Sequence, residues 1–154
     1  MTDLKIAAVA ALQGKTIATA ESITGGGIGQ ALTSVPGSSA VFKGGIISYC
    51  DEIKQRLLDV PSEMLAQCGA VSAPVAEAMA KGARKVLGTD MAVSVTGLAG
   101  PTGDSYGNWV GTVFIGWCDE NNTFSREYHF PGDREQVRCQ AIEKALQLIA
   151  EQNS

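Results

Sequence analysis

Helical and strand-like segments alternate through the first two-thirds of this sequence, and a hairpin and a final helix close it. That pattern predicts an α/β domain of three layers, α/β/α, around a mixed, mostly parallel sheet. Two runs of small apolar residues, Thr16 to Ala20 and Met91 to Thr96, read as buried strands. Each runs into a glycine-rich loop, residues 22–27 and 97–103, at the carboxyl edge where an open α/β sheet binds ligands. Both loops are therefore expected to line one pocket. The 154 residues fit a single domain, 1–154, because a domain typically holds about 100–200 residues. A domain of this size buries about two-thirds of its unfolded surface and needs no disulfide or metal to hold a core.

The elements follow in order. A helix spans Thr2 to Gln13, and after Gly14 comes the strand Lys15 to Ala20. Next is a helix over 25–34, with Ile28, Leu32 and Val35 at helical spacing. The break Val35-Pro36-Gly37-Ser38 leads to an extended segment, 40–49, in which Gly44-Gly45 marks a bulge or a close backbone approach. A short helix capped by Asp51 follows, and Pro61-Ser62-Glu63 opens another. Ser72 caps a long helix, 73–87, whose inner stripe is Val75, Met79, Ala83 and Val86. The hairpin pairs Trp109 to Cys118 with Phe124 to Phe130 around Asp119-Glu120-Asn121-Asn122. Asp133, with Gln136 three residues on, forms a capping box for the last helix, which turns Val137, Ala141, Ala145, Leu148 and Ile149 inward.

Composition removes several function classes. The net charge is -4 and no basic run occurs, so little drives counterion release from a nucleic acid. No apolar stretch approaches the ~18 residues of a membrane span. The opening Met1-Thr2-Asp3-Leu4-Lys5 lacks a signal-peptide pattern, so a cytoplasmic protein without membrane or nucleic-acid partners is expected. Cys50, Cys68, Cys118 and Cys139 include no C-x-x-C pair. Cys118 and Cys139 read as buried thiols, and a single His leaves too few zinc ligands. Trp109, Trp117 and Phe114 read as core or interface.

The stretch Thr19-Ala20-Glu21-Ser22-Ile23-Thr24-Gly25-Gly26-Gly27 concentrates the candidate chemistry. Ser22 stands where a strand turns into a helix, with glycines that admit a ligand and free N–H groups for an anion. The alternative is a tight turn with a hydroxyl cap. It is neither a Walker loop nor a dinucleotide fingerprint, and G-x-S-x-G and S-x-x-K are absent. A base for Ser22 must therefore come from elsewhere. Lys54, in the first turn of its helix, opposes the helix dipole by roughly 0.3–1 kcal/mol, and partial burial would lower its pKa toward a usable base. Tyr49 could relay the proton. By spacing alone the commoner reading of Lys54 is a solvated surface lysine. Arg134 and Arg138, one turn apart, suit either a phosphate or surface ion pairs. His129 lacks an evident acid partner for a triad.

Taken together these pieces resemble the CinA C-terminal domain family, the nicotinamide-nucleotide amidases. The matching stretches are Ala20 to Gly26, Val35 to Phe42, Tyr49 to Lys54, Gly69 to Ser72, Thr96 to Pro101, Val110 to Val113 and Phe130 to Arg134. They cover nearly the whole chain in order, and no extra N-terminal domain is expected in it. The resemblance implies hydrolysis of the carboxamide of nicotinamide mononucleotide to nicotinate mononucleotide and ammonia, in pyridine-nucleotide salvage. It places the catalytic roles on Ser22, Tyr49 and Lys54, with no metal or cofactor, and favours the catalytic reading of Lys54. Thr24, Gly25, Gly26, Thr96, Gly97, Ala99, Gly100, Arg134 and Arg138 are the expected substrate-binding residues. The N–H groups of the 24–27 turn are the expected oxyanion donors.

The sequence also departs from the family pattern. Ile23 replaces a usual Cys, Cys50-Asp51 replaces Ser-Asn, and Asp104 to Trp109 replaces a loop with Lys-Pro. The alternatives are thus a catalytically silent nucleotide-binding or regulatory module, or an amidase for another phosphorylated amide. Exposed apolar surface and the hairpin, with the resemblance, imply a homodimer or higher homo-oligomer.

Overall fold

The computed structural model describes residues 2–154. Its strands are β1 (Ile17–Glu21), β2 (Phe42–Ile47), β3 (Met91–Gly97), β4 (Thr112–Cys118) and β5 (Thr123–His129). Its helices are α1 (Thr2–Leu12), α2 (Gly27–Thr33), α3 (Asp51–Leu58), α4 (Ser62–Cys68), α5 (Ala73–Leu87) and α6 (Arg134–Gln152). The strands form one sheet in the order β2-β1-β3-β4-β5. β1 pairs in parallel with β2 and β3, while β4 runs antiparallel to both β3 and β5. Four of the five strands therefore point the same way. The expected mixed, mostly parallel sheet is what forms.

The two faces of the sheet carry side chains of different size, and this sets the layers. Ile17, Val93, Val95, Val113, Ile115 and Trp117 face α1, α2 and α6, where Leu12, Ile28, Leu32, Val137 and Ile149 complete a core. On the other face Ala18, Ala20 and Ala92 meet Val75, Met79 and Ala83 of α5, with Leu58 and Leu65 from α3 and α4. Strand side chains alternate between faces, so one short sequence such as Ile17-Ala18 serves both layers. The small residues let α5 lie close. A Cβ added at Gly116 of β4 would overlap the carbonyl oxygen of Ala76, and Ser94 Oγ donates to that same carbonyl. Small strand residues are thus a packing requirement of this face.

Several sequence expectations change. β4 begins at Thr112, because Gly111 sits at φ 93° and bends the chain. Trp109 consequently lies outside the sheet and is 81% exposed in the single chain, so it is not part of the core. The inner ladder of α5, Val75, Met79 and Ala83, continues at i+4 spacing to Leu87, which packs on the core, so Val86 points outward. Cys139 is exposed rather than buried. At α3 the cap position belongs to Cys50, with extended backbone, and Asp51 opens the first turn. The capping box of α6 forms as expected, with Gln136 N–H donating to Asp133 Oδ1 at 2.9 Å and Asp133 N–H to Gln136 Oε1 at 2.8 Å. Among the described residues no helix is long and apolar enough to cross a membrane.

The closest helix contact gives a stability test. A Cβ at Gly82 of α5 would overlap the Leu58 carbonyl oxygen and lie 2.7 Å from its carbon. Gly82→Ala is expected to destabilise the fold by about 1–3 kcal/mol through overpacking. The melting temperature should then fall by roughly 2–4 °C per kcal/mol, read by circular dichroism. An unchanged melt would mean that α3 and α5 can separate without loss.

Candidate active site

Ser22 follows directly on β1, and its N–H still donates to Val95 O at 3.0 Å, so the strand ladder holds its backbone. Its side chain emerges on the α3–α5 face. There the parallel pairing of β1 with β2 continues one step beyond the strands, with Ser48 N–H donating to Glu21 O at 2.8 Å. That register carries the chain into α3, whose first turn holds Lys54. Lys54 Nζ donates to Ser22 Oγ at 3.0 Å and to the Ser48 carbonyl at 2.7 Å. Two residues thirty-two positions apart thus meet.

Lys54 is 1% exposed. Burial pushes its pKa below the ordinary lysine value, because desolvation penalises the ammonium, and the nearby Asp51 and Cys50 offset part of that effect. The partners also fix where a lone pair would go. The Ser48 carbonyl can only accept, so a neutral amine keeps an N–H on it. The lone pair then faces the Ser22 hydroxyl, which can donate. Such an arrangement has the geometry that a general base and a nucleophile need.

Above this pair lies a pocket of about 320 Å³, walled by Ser22 and Ile23 on one side and by Thr96 to Gly100, Thr102 and Gly103 on the other. The two glycine loops do share one pocket, though only Ser22 and Ile23 of the first loop reach it. Arg134 stands at the mouth, where Nη1 donates to Gly100 O at 2.8 Å and Nη2 donates to the Tyr49 hydroxyl at 2.9 Å. A larger cleft of about 700 Å³ lies near Leu58, Met64 and Arg84. It contains none of the candidate catalytic residues, so volume alone does not mark the site.

Not every expected residue joins this pocket. Tyr49 lines it, but its side chain is 62% exposed and its hydroxyl meets Arg134, with no hydrogen bond to Ser22 or Lys54. Ser48 points inward at the end of β2, so the next residue points out. Ser22 and Lys54 thus meet directly, with Tyr49 not between them. Gly97, Ala99 and Gly100 line the pocket, as does Thr96, whose hydroxyl already donates to Ala70 O at 2.8 Å.

Thr24 is buried and donates to Glu21 Oε1 at 2.8 Å. Gly25 and Gly26 instead line a neighbouring cleft with Arg138. Arg138 spends its fork on the loop itself, with Nε donating to Ile23 O at 3.0 Å and Nη2 to Thr24 O at 3.3 Å. One turn apart on α6, the two arginines face different clefts. Nor does the 24–27 turn offer all its donors, since Gly25 N–H is bound to Ser22 O at 3.1 Å and Gly27 N–H to Thr24 O at 3.0 Å. Among the described residues the Ile23 N–H, beside Ser22 on the pocket wall, has no protein acceptor.

His129 pairs with Glu127 on the exposed face of β5 and is no part of the pocket. Asp104 is also elsewhere. It accepts from the N–H groups of Tyr106 and Asn108, both at 3.0 Å, and from Asn108 Nδ2 at 2.7 Å. Desolvation works to raise its pKa, but these hydrogen bonds outweigh it and hold the carboxyl below its ordinary value. The acid introduced into the second loop thus closes that loop on itself. Sequence reasoning missed two contributors, Ser48 and Glu21. The only signal for Glu21 was a carboxylate ending an apolar strand, and Ser48 gave none.

A family model described as the CinA C-terminal domain matches residues 2–153. A Pseudomonas putida protein named nicotinamide-nucleotide amidohydrolase PncC is 49% identical over 130 residues, 84% of this chain and 81% of that protein. A CinA-like protein of Geobacter metallireducens is 51% identical over 125 residues, 81% of this chain. The chain spans about a third of the length of such Geobacter relatives. The crystal structure of competence damage-inducible protein A from Klebsiella pneumoniae superposes with a TM-score of 0.94 at 34% identity, covering 97% of this chain and 94% of that one.

The buried amine can be tested without any substrate. A carbon-13 titration of the Lys54 Cε resonance is expected to show a midpoint below the ordinary lysine range. Asp51 favours the ammonium, so Asp51→Asn should move the midpoint lower still. A normal midpoint, or an upward move in the variant, would contradict the electrostatic account.

Proposed function

We propose, from the premise that the chain belongs to the CinA C-terminal domain family, that it is an amidohydrolase releasing ammonia from the carboxamide of nicotinamide mononucleotide. The observation that carries this reading is the buried Lys54 amine 3.0 Å from Ser22 Oγ at the floor of a walled pocket. The name of the Pseudomonas putida relative supports the choice of substrate.

In the proposed reaction the Lys54 lone pair takes the Ser22 proton as Oγ attacks the carboxamide carbon. The Ile23 N–H, beside Ser22 on the pocket wall, would donate to the oxyanion, and one such donor is worth about 2.7–4 kcal/mol in other enzymes. Collapse of the tetrahedral intermediate breaks the C–N bond, and the proton held by Lys54 leaves with ammonia. A water molecule, deprotonated by the same amine, then cleaves the Ser22 ester and frees the carboxylate. Arg134 would exchange its Tyr49 and Gly100 partners for the phosphate, a bidentate match for a guanidinium. Tyr49 would close the mouth over the bound nucleotide. Remote binding of this kind aligns the reacting carbon.

Purified protein is expected to release ammonia from nicotinamide mononucleotide, with much weaker activity on nicotinamide riboside and on free nicotinamide. Ser22→Ala and Lys54→Ala should each reduce kcat by at least about a thousandfold, in keeping with loss of a nucleophile or its base. Activity should rise with pH through the Lys54 titration, since the neutral amine is the working form. Arg134→Ala should raise KM for the mononucleotide by about tenfold or more while leaving weak riboside turnover unchanged. Equal activity on mononucleotide and riboside would replace the phosphate-dependent reading with a riboside amidase. Binding without turnover in the wild type would favour a silent nucleotide-binding module.

A further inference from the structure

Glu21 ends β1 beside Ser22, and consecutive strand residues face opposite sides of a sheet. Ser22 turns toward Lys54, while Glu21 turns toward α2. The Glu21 side chain is 2% exposed, and among the described residues it forms no ion pair. Its partners are hydroxyls and amides instead. Thr24 Oγ1 and the Ile28 N–H donate to Oε1, each at 2.8 Å, and Thr19 Oγ1 and the Gly29 N–H donate to Oε2 at 3.0 and 2.9 Å. An ionised carboxylate accepts about four hydrogen bonds, so this one is saturated.

The four donors lie on both sides of Ser22 in the chain. Thr19 precedes it, whereas Thr24, Ile28 and Gly29 follow it. Between them stand Gly25, Gly26 and Gly27, which have no side chains to pack the turn. A short hydroxyl cap could serve the start of α2 alone. What the carboxylate adds is a bridge from β1, across the turn, to α2. Arg138 grips the same turn from outside through the carbonyls of Ile23 and Thr24.

We propose that Glu21 is the positioning residue of the nucleophile turn: by joining Thr19 to Thr24 and to the first N–H groups of α2, it holds Ser22 Oγ within reach of Lys54. This rests on the reading of Ser22 as nucleophile and Lys54 as base. The opposite pocket wall is held independently, with Leu98 N–H donating to Thr112 O and Gly111 N–H to Leu98 O. Loss of the Glu21 grip therefore affects chemistry more than binding.

Glu21→Gln is the test, since its amide keeps the shape but turns two donors of its own toward groups that also donate. Circular dichroism first establishes that the variant is folded. Its crystal structure should show Ser22 Oγ more than about 3.5 Å from Lys54 Nζ, beyond hydrogen-bond range. On nicotinamide mononucleotide kcat should fall about tenfold to a hundredfold, with KM within about twofold of wild type. A phosphonofluoridate probe gives a readout independent of the natural substrate. Ser22 Oγ forms the P–O bond, fluoride leaves, and the hydroxyl proton passes to Lys54. Labelling of Ser22 should slow in parallel with kcat.

A folded Glu21→Gln protein with the wild-type separation and labelling rate overturns the proposal, even if its melting temperature falls. Wild-type labelling without ammonia release would sink the amidase reading and leave the positioning role standing. Where Glu21→Gln does not fold, Thr24→Val removes one donor and keeps the carboxylate, and Thr24→Ser restores that donor. Slower labelling in Thr24→Val with recovery in Thr24→Ser supports the proposal. Equal labelling in all three proteins overturns it.

Discussion

An amine with almost no exposure, held between one hydroxyl and one carbonyl, is the constraint on which the rest of this structure turns. Removing an ammonium from water costs several kcal/mol even after relaxation, and no carboxylate forms an ion pair with Lys54 among the described residues. The fold meets that cost by favouring the neutral amine. The burial that weakens the ammonium is also what would prepare a base for the proposed reaction. Under that proposal stability and chemistry are opposed at Lys54, as they commonly are where function needs a strained or desolvated group.

The contact requires accurate placement of two chain segments. Ser22 Oγ meets Lys54 Nζ, Lys54 Nζ meets the Ser48 carbonyl, and the Ser48 N–H meets the carbonyl of Glu21, the residue before Ser22. These bonds close a ring. Its rigidity derives from the β1–β2 register, and a one-residue slip would send Ser22 to the opposite face. The small residues on the α5 side of the sheet, together with Gly82 and Gly116, bring the helical layer close enough to cover the amine. Packing density and pKa are in this sense the same property.

The arginines and the second loop show how neighbours in sequence can serve separate ends. Arg134 reaches the pocket mouth, whereas Arg138, one turn along α6, braces the loop that carries Ser22. Asp104, an acid near the expected phosphate site, is consumed by the N–H groups of its own loop. Charge counts along the sequence would have set both against or toward a ligand. The hydrogen bonds decide otherwise.

Much of this protein was legible in its sequence. Hydrophobic period, glycine breaks and the Asp133–Gln136 pair located the α-helices and strands, apart from the start of β4, because local propensity and the burial pattern agree. They also placed the paired loops at one sheet edge. The sequence alone could not decide which hydroxyls and charges meet, since that depends on contacts between residues far apart in the chain. Burial of Lys54, the outward turn of Tyr49 and Trp109, the saturation of Glu21 and the separate tasks of Arg134 and Arg138 all depend on strand register and helix packing. Those are set only when the two layers close on the sheet.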